Sequence, residues 1–111
     1  MITFLDGPAA REHLMCRRAP LFLRVVFNPR KRSDAWDALD QLNDQPKPSE
    51  QLHAYVRESP ATWMHIKGTR KCTSGIYAVA RYRLCETQPP DAVMRDTGLW
   101  QQWCRDAVTP K

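Results

Sequence analysis

Glycine is scarce in this chain: four occur in 111 residues, at positions 7, 68, 75 and 98, and no two lie closer than seven residues. A phosphate-cradling loop needs glycines within a few residues of one another, so that backbone N–H groups can converge on an anion. The P-loop and dinucleotide-binding fingerprints are therefore excluded. Nucleophile elbows, H-E-x-x-H zinc motifs and EF-hand loops are missing too. No run of about eighteen apolar residues exists, which rules out a transmembrane helix. The stretch Met1–Asp6 carries neither a basic segment nor a long apolar one, so a secretory leader is not expected and a cytoplasmic location is.

Close cysteine pairs are also absent. Cys16, Cys72, Cys85 and Cys104 contain no C-x-x-C pair, whereas zinc modules draw two ligands from one tight turn. The nearest combination, His13 and Cys16, would point to opposite faces of a strand. No metal and no cofactor are expected. Free thiols follow from a reducing compartment. Cys16, Cys85 and Cys104 sit among apolar residues and read as small core hydrophobes. Cys72 lies in a basic stretch that favours its thiolate, but no histidine or aspartate stands in a recognisable relation to it.

The composition is that of a small basic domain, with 17 Lys+Arg against 12 Asp+Glu, a net charge of +5 and 42% hydrophobic residues. At this length the expectation is a single domain over residues 1–111. Charge alternates along it: residues 1–36 carry +4, 37–60 carry −3, 61–89 carry +4, and the remainder is neutral. Such alternation suits a folded surface better than a tail.

Strand patterns dominate residues 2–85. Ile2–Leu5 is short and apolar and ends in the turn chemistry of Asp6-Gly7-Pro8. His13–Arg17 follows, and Leu21–Phe27 is apolar on both faces. Gln51–Arg57 alternates with Leu52, Ala54 and Val56 facing in. Thr62–Lys67 and Ile76–Cys85 flank the loop 68–75, and Ala78 and Ala80 leave room for something bulky close to the sheet. Two segments have helical spacing. Ser33–Leu42 places Trp36, Leu39 and Leu42 at i, i+3 and i+6, with Asp34, Asp37 and Asp40 near its start, and Pro46 and Pro48 end it. From about residue 91 to 107, Leu99, Trp100, Trp103, Cys104 and Ala107 form an apolar stripe, with Asp91 or Asp96 as the cap. The predicted fold is α+β: an antiparallel sheet of five to six short strands, able to curl toward a small barrel, with a C-terminal amphipathic helix packed on it.

The acidic set Asp34, Asp37, Asp40 and Asp44 reads as a solvated helix face rather than a metal site. His13, His53 and His65 fall on different strands, and none has a placed catalytic partner. An enzyme is not expected. The basic residues offer more. Arg24, Arg57, Arg81 and Arg83 lie on the polar sides of strands, with Tyr55 and Tyr77 among them and Arg70 and Lys71 in a neighbouring loop. On one open face these residues would make a stacking and phosphate-contacting surface for single-stranded nucleic acid. The competing reading is that strand arginines solubilise edges. Four tryptophans exceed what so small a core can bury centrally. Trp100 and Trp103 anchor the helix, which leaves Trp36 or Trp63 for the surface, where a tryptophan beside arginine forms a protein-binding hot spot.

Two stretches then combine. Thr3-Phe4-Leu5-Asp6-Gly7-Pro8-Ala9-Ala10 leads to Arg18-Ala19-Pro20 and the strand through Val26. Asp37–Asp44 is followed by Pro46, Pro48 and Tyr55-Val56-Arg57. Together with Met94-Arg95-Asp96-Thr97 before Trp100 and Trp103, they resemble small proteins of uncharacterised activity encoded in tailed bacteriophages and prophages. The basic turn Arg30-Lys31-Arg32 departs from that pattern, where a Gly- or Asp-rich turn is expected. The resemblance implies a phage-encoded accessory protein that binds a host or phage protein, with nucleic acid as the alternative partner, no membrane, and a homodimer as a further option.

Overall fold

The computed structural model describes residues 1–27, 36–38, 51–70 and 73–108. In chain order the elements are β1 Ile2–Phe4, β2 His13–Leu14, β3 Phe22–Phe27, β4 Trp36–Ala38, β5 Leu52–Arg57, β6 Thr62–Ile66, β7 Gly75–Leu84, α1 Asp91–Arg95 and α2 Thr97–Val108. The strands pair in the order β2-β1-β7-β5-β3-β4, with β6 also on β7. The two ends of that order, β2 and β4, approach each other, so the sheet curls into a partial barrel. The α+β architecture is thus the one expected from the sequence.

The ten-residue β7 organises the sheet. Its partner along residues 75–79 is β6, and along 82–84 it is β5, both antiparallel. The Glu58 N–H donates to the Arg81 carbonyl at 2.9 Å, between these two pairings. Along the other edge, β1 runs parallel to residues 80–82. This parallel pair departs from an all-antiparallel sheet. It can form because the long intervening chain supplies the crossover that parallel neighbours require.

Both faces of the sheet are covered, and by unlike material. Inside the curl, Ile2, Phe4, Leu14, Leu23, Val25, Tyr55, Ala80 and Tyr82 pack with Ala9, Cys16 and Ala19 from the connecting segments. On the outer face, Val26, Leu52, Ala54 and Cys85 meet Met94 and Trp100 from the helices, with Phe22, Val56 and Trp103 alongside. Strand alternation produces this split directly. The register sets Leu23 opposite Tyr55 and Arg24 opposite Ala54, so neighbouring residues of one ladder serve opposite cores. Phe4 lies edge-on to Tyr55 at 4.8 Å, an aromatic pair that fills the interior.

The inner cover is fastened by Tyr55. Its hydroxyl donates to the Asp6 carbonyl and accepts the Ala9 N–H, both at 3.0 Å, while the Asp6 carboxylate accepts the Leu84 N–H at 2.6 Å. Gly7 between them sits at φ +75°, and a Cβ there would lie 2.7 Å from the Tyr55 hydroxyl oxygen, so only glycine fits. Burial pushes the Tyr55 phenol up, the Asp6 charge adds to the shift, and the Ala9 N–H opposes it.

The helical end differs from one continuous helix. Asp96 separates α1 from α2, and its Oδ1 accepts the Leu99 N–H at 3.0 Å, the N-cap bond expected of it. Within α1, Asp91 and Arg95 pair across one turn at 2.6 Å. A larger correction concerns the helix predicted over Ser33–Leu42. Residues Trp36–Ala38 are instead β4, pairing antiparallel with Val25–Phe27 of β3, and the rest of that span lies outside the described residues. The edge of β3 offers unpaired backbone groups, and satisfying them outweighs a short helix with weak intrinsic stability. The acidic residues expected along the helix fall on the same span. Asp37 belongs to β4, while Asp34, Asp40 and Asp44 are not described.

Two outcomes test this arrangement. Tyr55→Phe strands a buried N–H and a carbonyl, and equilibrium urea unfolding is expected to show a loss of about 1–3 kcal/mol. Half-buried His53 is held below the ordinary value of 6.5 by desolvation, so the folded chain binds this proton less readily than the unfolded chain. Its contribution to stability is present above 6.5 and is lost as the pH falls below it. Melting temperatures between about pH 8 and about pH 5 should therefore fall less steeply for His53→Gln than for the parent chain.

Candidate interaction surface

The register decides which of the expected binding residues can share a surface. Val56 pairs with Arg83, and Tyr55 with Leu84, so Arg83 and Arg81 lie on the outer face while Tyr55 and Arg57 lie on the inner one. A single face that interleaves these arginines and tyrosines does not exist in this fold. Tyr55 is wholly buried. Arg57 is half-buried and donates to the Ala19 carbonyl, holding the segment that enters β3. Tyr77 is buried as well, and its hydroxyl donates to the Thr73 carbonyl at 2.7 Å.

Arg24 is the sharpest correction, for it is 3% exposed. Its Nη1 donates to the Met94 carbonyl at 3.0 Å, and its guanidinium lies 5.1 Å from the centre of the Trp100 ring. The Met94 carbonyl sits in the last turn of α1, where helix geometry leaves carbonyls without intrahelical partners. Arg24 therefore joins the sheet to the break between the helices. A charged residue in a strand reads from sequence as a surface residue. Only the helices laid across this face turn it into a buried anchor.

The two most exposed large apolar side chains lie on the arm formed by β6, the connection to β7 and the first half of β7. Trp63 pairs with Ala78 and His65 with Ile76, so Trp63, His65 and Ile76 share one face. Trp63 is 58% and Ile76 56% exposed, and Met64 on the opposite face is also exposed. Among the described residues, the only strand partner of β6 is β7, which leaves its outer backbone edge open. Lys67 and Arg70 are exposed near the tip, whereas Lys71 and Cys72 lie outside the described residues.

Arg17 braces this arm toward its tip. Its guanidinium stacks 4.6 Å from the Tyr77 ring centre and donates to the Thr73 hydroxyl at 2.9 Å. The contact is close enough that a Cβ on Gly75 would fall 2.4 Å from Nη1. Sequence reasoning passed over Arg17, since nothing in the spacing of Cys16-Arg17-Arg18 distinguishes it from a solubilising charge.

Titratable chemistry is sparse elsewhere. Cys16 and Cys85 are buried and Cys104 is half-buried, and none of them is in a disulfide. Burial pushes the Cys85 thiol up, with the Arg83 charge partly opposing, which disfavours the reactive thiolate. No group of three or more His, Cys, Asp and Glu side chains converges among the described residues. No helix among them is long and apolar enough to cross a membrane.

The exposure of Trp63 makes it structurally dispensable. Trp63→Ala is expected to change unfolding free energy by no more than about 0.5 kcal/mol, as read from urea denaturation. Compared with family models, curated proteins and solved structures, the chain matches none.

Proposed function

We propose that this chain is a non-enzymatic binding module, a phage- or prophage-encoded accessory protein that engages a host or phage protein through the β6–β7 arm. The observation that carries the reading is Trp63, 58% exposed beside Ile76 on a strand whose only strand partner among the described residues is β7. A large aromatic surrounded by water costs solvation free energy in the free protein, and covering it on association recovers that cost. The open edge supplies backbone donors and acceptors that an extended partner segment can pair with. The arm is braced toward its tip by Arg17 on Tyr77 and Thr73, which reduces the ordering that binding requires. The phage setting rests on the resemblance of the segments around Asp6-Gly7-Pro8 and Tyr55-Val56-Arg57 alone.

A nucleic-acid partner keeps a narrower footing. Arg81 and Arg83 are both exposed on the outer face of β7, two residues apart, but the tyrosines meant to stack with them are buried. Their charges could contact phosphates, giving affinity without sequence preference.

Affinity capture of the tagged chain from a bacterial lysate, with and without nuclease and eluted along a salt gradient, separates the two. The expected result is a protein partner that survives nuclease and high salt and is lost with Trp63→Ala while the variant stays folded. Recovery abolished by nuclease and by Arg81→Ala with Arg83→Ala, but indifferent to Trp63→Ala, would assign the nucleic-acid function instead.

A further inference from the structure

A second site, independent of the arm, lies where the chain enters β3 beneath α2. There a groove of about 580 Å³ opens between the segment Arg18–Leu23 and the helix, a size within the ~300–1,000 Å³ range of small-molecule sites. Its walls are apolar, with Leu21, Phe22 and Leu23 on one side and Trp100, Cys104 and Val108 on the other. The wall is held in place before any ligand arrives. Trp100 stacks on Trp103 at 5.3 Å and lies against the buried Arg24 guanidinium, while Phe22 packs edge-on to Trp103 at 5.1 Å.

The charged side chains lining the groove are of one sign. Arg18 comes from the β3 entry and Arg105 from α2, and no acidic residue lines the groove among the described residues. The Arg105 guanidinium donates to the Gln102 carbonyl oxygen at 3.0 Å, and Gln102 in turn donates to Asp106 at 2.9 Å, which fixes the cation along the helix. An apolar trough lined by two guanidinium groups complements a molecule with an apolar body and an anionic end.

We infer that this groove binds a free alkyl carboxylate, its chain lying against Phe22, Trp100 and Cys104 and its carboxylate paired with Arg18 and Arg105. The body of the ligand gains by leaving water, and the two cations fix which end stays at the rim.

The probe is laurate, with dodecylammonium as the same chain bearing the opposite charge. Binding is followed by calorimetry and by the Trp100 indole resonance in nitrogen-15-labelled full-length protein. The expected result is saturable laurate binding that moves the Trp100 signal and weakens at least about tenfold in the double variant Arg18→Gln with Arg105→Gln, as the loss of charge-assisted hydrogen bonds implies. Val108→Glu, which places a negative charge at an exposed rim position, should weaken laurate binding as well and guards against misfolding of the double variant. Trp63→Ala should bind laurate like the parent, which separates this site from the arm. Laurate binding that is absent, matched by dodecylammonium, or unchanged in both charge variants would overturn the inference.

Discussion

The ladder between β3 and β5 is the constraint on which the rest of the molecule depends. Arg24 opposite Ala54 and Leu23 opposite Tyr55 are consecutive rungs, and each rung sends its side chains to a different core. A sheet covered on both faces must recruit two separate covers from a short chain. Here each cover is held by a buried polar side chain, and Arg57 and Tyr82 add further bonds to the inner one at Ala19 and Pro20. Tyr55 reaches inward to the turn at Asp6–Ala9, and Arg24 reaches outward to the end of α1. Apolar burial supplies most of the stabilisation without fixing direction. The two polar anchors supply the direction, because an unsatisfied buried donor or acceptor penalises any other placement.

That division explains where function can reside. Residues near the β3–β5 ladder are committed to holding covers in place, whatever their polarity. Trp63, Met64 and Ile76 of the arm lie outside both core clusters: α1 and α2 pack over Phe22, Leu52 and Ala54, while the inner segments pack over Ala78 and Ala80. Trp63 and Ile76 are exposed because the material available to bury them ends short of them. The groove beside α2 has a related origin. The helix covers its face through Trp100 and Trp103, and the exposed Leu21 and Val108 mark where that packing stops.

Much of the framework was legible from alternation and turn chemistry. The strands around Ile2–Phe4, Phe22–Phe27, Leu52–Arg57 and Thr62–Ile66, the core roles of Cys16 and Cys85, the capping by Asp96 and the stripe through Trp100 all follow from residue types at fixed spacing. The segment around Trp36 was not legible. Its helical spacing is local, whereas its pairing with Val25–Phe27 depends on an edge formed by residues distant in sequence. Of the residues expected to share one face, Tyr55 and Arg57 fall on the inner side through register, while Arg24 is covered by the helices. Alternation within each strand was read correctly, but which side of one strand shares a face with which side of the next is a matter of register.

The sequence by itself determined the class of the fold: short alternating strands, one amphipathic helical end, few glycines and no phosphate-binding loop. These are properties of neighbouring residues, and local sterics and periodicity are enough to specify them. Tertiary structure alone decided that β1 lies parallel to β7, that Arg24 is an anchor and Trp63 a surface residue, and that Arg18 and Arg105 flank one groove. Each of these depends on contacts between segments far apart in the chain. Whether a side chain is covered is fixed by what arrives from elsewhere, and no local pattern encodes that.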